Sequence, residues 1–113
     1  MSKRRAELGL AEAALLFAAL GDETRLALLR RLAERGPASI STLSARFRIS
    51  RQAVTKHLQF LAVAGVIDGV RAGREHHWKL NPVRLTEAQR SLDTIARGWD
   101  DALARLKAHI EEG

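Results

Sequence analysis

The sequence predicts a mainly helical fold carrying one small β-hairpin, in the order helix, helix, helix, helix, strand, strand, helix. Three observations carry that expectation. Apolar residues recur at helical spacing in five stretches, and the period falls from 3.6 to 2 only between Val66 and Leu80. No uninterrupted apolar run approaches the roughly 20 residues that a membrane-crossing helix needs. A chain of 113 residues is expected to form a single domain over 1–113, large enough for one core but marginal alone, so association of subunits is expected.

Leu10, Ala13, Ala14, Phe17 and Ala18 keep helical spacing up to Gly21, a residue suited to the left-handed position that ends a helix. Asp22 is a good N-cap for a second helix, whose expected buried face is Leu26, Leu29 and Ala33 and which stops at Gly36-Pro37. A third helix is expected from near Ser41 to Phe47. Arg48-Ile49-Ser50 then makes a turn, and Ser50 caps a fourth helix that continues to Ala64 and ends at Gly65. Small Ser44 beside Leu43 lets these two helices approach closely. The alternating residues from Val66 to Arg71 and from Glu75 to Leu80, joined by Ala72-Gly73-Arg74, predict a hairpin over 66–80. Asn81-Pro82 breaks the strand, and Thr86-Glu87-Ala88-Gln89 has the form of a capping box opening a last helix over 85–112. In that helix Leu92, Ala96, Trp99, Leu103, Leu106 and Ile110 follow 4, 3, 4, 3, 4 spacing, the signature of a helix packing lengthwise on another. Gly98 weakens this helix by about 1 kcal/mol without stopping it.

This order is that of a winged helix-turn-helix, with the helix-turn-helix at 40–64 and the wing at 66–80. In its second helix Val54, Leu58 and Leu61 face a core, which leaves Arg51, Gln52, Thr55, Lys56 and Gln59 on the opposite side. Their chemistry suits DNA. Arg and Lys reach phosphates or guanine edges, Gln pairs with adenine, and Thr offers a hydroxyl and a methyl. The net charge of +6 is concentrated there: between Arg25 and Arg90, 13 Lys and Arg face 4 Asp and Glu, a local balance of +9. The same charge would also serve as a solvated surface.

The residues resemble the ArsR/SmtB family of bacterial repressors. The resemblance runs from Ala18 to Pro82 and is carried by ALGDETRLALLRRLAERG, by ISRQAVTKHLQFLAVAGVI and by VRAGREHHWKLNP. It implies a homodimer built from the first and last helices, over 1–20 and 85–112, with Leu10, Ala14, Phe17 and the last-helix seam as interface. It also places the helix beginning near Ser50 in the major groove of a double-stranded operator. Gln52, Thr55, Lys56 and His57 then fall at reader positions, and Arg71 and Arg74 at wing positions that contact flanking backbone or minor groove. Two departures stand out. Arg48 occupies a turn position where the family commonly has glycine, implying about 1 kcal/mol of strain or an added phosphate contact. Thr55-Lys56 stands where Ser-Arg is common, so operator preference does not transfer.

Many relatives sense metals, yet the absence of cysteine removes thiolate sites and thiol switches. His109 and Glu112 form only half of the family's last-helix site, because Ala96 and Gly98 upstream cannot ligate. His76 and His77 are adjacent on a strand and point to opposite faces. We therefore expect no metal and no cofactor. His57 is read either as a backbone contact or as a structural hydrogen-bonding group. Trp78 and Trp99 are read as core or interface anchors, with an effector pocket as the alternative. No nucleophile elbow, phosphate loop or clustered carboxylate pair supports an enzyme. The resulting expectation is a cytoplasmic, homodimeric repressor that covers a promoter palindrome, with a short basic arm at Lys3, Arg4 and Arg5. Its rivals are a metal- or small-ligand-responsive repressor of the same family and a protein-interaction module that has lost DNA binding.

Overall fold

A computed structural model describes residues 8–112. The basic arm at Lys3 to Arg5 lies outside them. The elements are α1 (Leu10–Leu20), α2 (Glu23–Arg35), β1 (Ala38–Ser39), α3 (Ile40–Phe47), α4 (Arg51–Val63), β2 (Ile67–Ala72), β3 (Glu75–Leu80) and α5 (Pro82–Glu112). This is the expected mainly helical fold, with a three-stranded antiparallel sheet in the order β1-β3-β2. Strand β1 was not foreseen. It is two residues long, too short to show a period, and pairs Ala38 with Trp78 and Ser39 with His77.

The core gathers one face from each helix. Leu16, Leu28, Leu43, Val54, Leu58, Leu61 and Val66 are all fully buried, with Ala88 closing it from α5. Three expectations are corrected here. Helix α2 buries Leu28, Leu29 and Leu32, while Leu26 is 44% exposed and Ala33 is exposed. Leu26, Leu29 and Ala33 share one face and Leu28, Leu29 and Leu32 the adjoining one, so periodicity alone admits both, and the one with more leucine packs inward. Gly21 is not left-handed: its φ is −83°, and its N–H donates to the Ala18 carbonyl at 3.2 Å. Helix α5 starts at Pro82 rather than at the Thr86 capping box. Proline suits the first helical position because its missing N–H would find no partner there. Asn81 Oδ1 accepts from the Arg84 N–H at 3.2 Å, and the Thr86 hydroxyl simply donates back to the Pro82 carbonyl at 3.0 Å.

Arg25 latches three helices together. Its Nε donates to the Ala19 carbonyl at 2.8 Å and its Nη2 to the Ala18 carbonyl at 3.1 Å, closing the end of α1. Its guanidinium carbon lies 4.0 Å from the centroid of the Phe60 ring on α4, a cation–π contact. One turn earlier, Asp22 caps α2 by accepting from the Arg25 N–H at 2.9 Å. That backbone bond, followed by the Arg25 and His57 charges, holds the Asp22 carboxyl below its usual range. A folded value below the unfolded one makes the cap's contribution complete at neutral pH; it is lost as acid titrates the carboxylate.

Beyond the core the chain is elongated. Its radius of gyration is 18.5 Å, against about 13 Å for a compact chain of this size, because the 31-residue α5 extends past the other elements. Only Ala88 and Ser91 of α5 are buried.

Arg25→Met keeps the aliphatic stem but removes both carbonyl bonds and the charge over Phe60. It should cost roughly 2 kcal/mol of stability, at about 1 kcal/mol per bond, in urea denaturation at fixed protein concentration. A loss below about 0.5 kcal/mol, half of one ordinary hydrogen bond, would show that the latch is incidental.

Candidate nucleic-acid interface

The site is built on α4, whose orientation is set from beneath. Val54, Leu58 and Leu61 are fully buried, as their spacing predicts, so the side chains between them face outward. The turn that delivers α4 is held at both ends. The Ser44 hydroxyl donates to the Ile49 carbonyl at 2.5 Å, which requires the close helix approach that a small residue permits. Ser50 caps α4 by accepting from the Ala53 N–H at 3.0 Å. Between them Arg48 adopts φ 56° and ψ 40°, the left-handed region, which costs a residue with a Cβ about 1 kcal/mol.

On the outward face Ser50, Arg51, Gln52, Lys56 and Gln59 are exposed, whereas Thr55 is half-buried. Besides the Ser50 cap, two of these side chains are already engaged. The Thr55 hydroxyl donates to the Arg51 carbonyl at 2.8 Å, leaving its methyl as the group it can offer. Arg51 donates through Nη1 to the Ser41 hydroxyl of α3, which turns its guanidinium toward the neighbouring helix. Gln52 and Lys56 keep their polar ends in solvent. Farther along, Lys56 and Gln59 border an apolar depression formed with Leu15, Phe60 and Val63. His57 is half-buried with Nδ1 3.9 Å from Asp22 Oδ2, and so ties α4 to the start of α2.

The wing stands beside this face. Its strands pair from Ile67 with Leu80 to Ala72 with Glu75, so the turn is Gly73-Arg74, one residue shorter than expected. Arg71 and Arg74 are exposed. The two histidines diverge as a strand requires. His76 stacks on Trp78 with ring centroids 4.8 Å apart, and His77 Nε2 lies 2.9 Å from Glu75 Oε1. The His76 ring occupies space that only glycine leaves open: a Cβ on Gly69 would sit 2.2 Å from His76 Nε2. Trp78 packs against the core, whereas Trp99 is 63% exposed on α5.

The candidate ligands are dispersed: His76 is stacked, His77 is paired with Glu75, and His109 and Glu112 sit exposed on α5. Among the described residues no three His, Asp or Glu side chains converge. No helix among them is long and apolar enough to cross a membrane.

The dimer residues expected from sequence lie on two helices. Leu10 and Ala14 are exposed and Phe17 is half-buried against the core; Leu92, Ala96, Trp99, Leu103, Leu106 and Ile110 are all exposed on α5. Sequence reasoning missed Arg25, Ser39 and Ser41. Ser39 carried a readable signal, since it stands three residues before Thr42 and its hydroxyl caps α3 by accepting from the Thr42 N–H. Arg25 and Ser41 act through tertiary contacts and carried none.

Comparison with known proteins agrees with this geometry. Residues 20–70 match the helix-turn-helix domain family. The chain is 36% identical over 85 residues to the HTH-type transcriptional regulator Rv2034 of Mycobacterium tuberculosis, covering 75% of this chain and 76% of that protein. An ArsR-like transcriptional regulator from Rhodococcus sp. RHA1 superimposes with a TM-score of 0.79 at 41% identity, covering 87% of this chain and 92% of that one. A homodimeric winged helix-turn-helix DNA-binding domain from Mycobacterium bovis shares the fold at a TM-score of 0.64 and 21% identity, covering 87% and 88%. With a capped, outward-facing α4, a basic hairpin beside it and relatives matched over most of their length, the chain belongs to the ArsR family of winged helix-turn-helix transcriptional regulators.

Proposed function

We propose that this DNA-binding regulator is a homodimeric repressor that covers a promoter palindrome and blocks polymerase by occupying it. The observation that carries the reading is the exposed apolar seam of α5. Leu92, Ile95, Trp99, Leu103, Leu106 and Ile110 are between 44% and 66% exposed on one 31-residue helix, a contiguous patch of the kind that a partner surface normally covers. A second copy supplies the same seam, and two-fold pairing brings two α4 helices to face one side of a duplex. Residues 82–112, with α1, then supply the dimer contacts. Gln52 and the Thr55 methyl read bases, Lys56 and the wing arginines hold phosphates, and His57 positions α4 from behind. The homodimer known for the Mycobacterium bovis domain has this same fold. A DNA target is consistent with the cytoplasmic location proposed for it. Selecting bound fragments from the source genome, followed by gel shifts over a salt series, tests the reading directly. Tight, salt-sensitive binding to a recurring palindrome supports it, and binding to no fragment contradicts it.

Gln52→Ala should cost roughly 1 to 3 kcal/mol on the selected operator and little on random duplex. Thr55→Val keeps the methyl and should change operator affinity by less than about 0.5 kcal/mol, well under the cost of a lost base contact. Equal losses on both DNAs for Gln52→Ala would make that residue a phosphate contact.

Leu103→Asp places an unpartnered charge in the proposed seam. Monomers in sedimentation together with loss of operator binding are expected; a well-folded dimer of this variant would place the interface elsewhere.

Operator affinity should agree within twofold, about 0.4 kcal/mol, in chelator and in a small excess of zinc at fixed ionic strength. A tenfold zinc-dependent loss that His109→Ala abolishes would overturn metal independence.

A further inference from the structure

Where the first turn of α3, the first residue of α4 and the tip of the wing meet, they border an open cavity of about 260 Å³. Its walls include Ser39, Ser41, Arg51, Arg74, Glu75 and His76. Three separate elements therefore contribute to one concave site. Two arginines outweigh one carboxylate, and Glu75 Oε1 is already held by His77 Nε2 at 2.9 Å. We propose that this cavity seats a single backbone phosphodiester of bound DNA, clamped jointly by Arg51, Arg74 and the Ser41 hydroxyl.

The hydrogen bonds at the site assign the roles. Arg51 Nη1 donates to Ser41 Oγ, which holds the guanidinium at the wall of the site, turned toward α3. Because Ser41 Oγ accepts that bond, its own O–H remains to donate to an anion. Ser39 does not bind: its hydroxyl accepts from the Thr42 N–H and donates to the Thr42 hydroxyl, both at 3.1 Å, so it shapes the wall and orders α3. Arg74 arrives from the two-residue turn of the hairpin, and its side chain lines the same space. Two guanidiniums and a hydroxyl at one concave site match the several acceptor lone pairs of a phosphate's oxygens. The first-turn amides of α3 add partial positive charge of the same sign.

This proposal rests on the DNA-binding reading and refines it: Arg51 is a phosphate ligand and not a base reader, and the wing tip and helix-turn-helix grip one phosphate rather than two. A shared phosphate has a consequence that separate contacts lack. Counterion release follows the number of phosphates neutralised, about 0.9 per phosphate in the salt slope. Two arginines on one phosphate therefore give non-additive losses.

The test uses the full chain and duplexes carrying a neutral methylphosphonate at one backbone position at a time, scanned along a selected fragment. Wild-type protein should lose about tenfold at one position in each half-site. Arg51→Ala and Arg74→Ala should each lose about tenfold on unmodified DNA, each should become less sensitive to the methylphosphonate at that same position, and the double variant should become indifferent to it. The double variant should lower the salt slope by about one unit per subunit rather than two. Ser41→Ala should weaken binding with an unchanged slope, because it removes no charge. Different sensitive positions for the two arginines, or a slope that falls by two, would overturn the shared clamp while leaving DNA binding intact. A second arm asks whether the site takes free phosphate: at matched ionic strength, replacing chloride with inorganic phosphate should leave wild-type affinity unchanged. Competition by phosphate that Arg51→Ala abolishes would assign the cavity to a free anion instead. Failure of wild-type protein to bind any duplex at low salt would overturn the DNA reading itself, and this proposal with it.

Discussion

What this chain can offer to DNA depends on how Val54, Leu58 and Leu61 are held. All three are fully buried, and they pin α4 against leucines of α1, α2 and α3. Burying such a side chain is worth about 1.5 to 3 kcal/mol, so the rotation of α4 about its axis is fixed by the core rather than by any surface contact. A helix with a fixed rotation has a fixed outward face. Arg25 and Asp22 extend the same constraint to the ends of α1 and α2: Arg25 lies against Phe60 and Asp22 near His57, both on α4. The rotation of α4 is thereby set from beneath, with Gln52, Lys56 and Gln59 left outside the core.

Much of this was legible in the sequence because the information is local. The Ser50 cap, the buried triplet of α4 and the alternation of the wing each rest on a few neighbouring residues whose chemistry admits one solution. The failures are equally physical. Helix α2 carries leucine on more than one face, so periodicity did not choose between Leu26 and Leu28. The capping box at Thr86 is genuine in form, but Asn81 and Pro82 satisfy the same rules four residues earlier and gain contact with the core through Leu85 and Ala88. Strand β1 exists only because β3 offers it an edge. The α4 stripe was readable as a set of residues, yet not as a set of roles. Only the fold shows that the Thr55 hydroxyl turns inward and that Arg51 leans on Ser41.

The polar and apolar surfaces divide the work. The outward face of α4 and the wing carry groups suited to DNA, whereas α5 carries a long apolar seam that a single chain leaves in water. A lone 31-residue helix in contact with the core only near its start has little reason to remain ordered in isolation, since most helical stability in proteins comes from packing of one face. In the proposed dimer, pairing through that seam would cover it and would set the separation of the two α4 helices at once, so that stability and operator geometry would arise from the same contact.

Hydroxyl-radical footprinting on selected genomic fragments distinguishes whether the α5 seam spaces two α4 helices on one duplex. Two protected half-sites related by a dyad are expected, with centres about one helical turn, roughly 34 to 36 Å, apart on the same face of the DNA. A single protected half-site, or protection without two-fold symmetry, would contradict it.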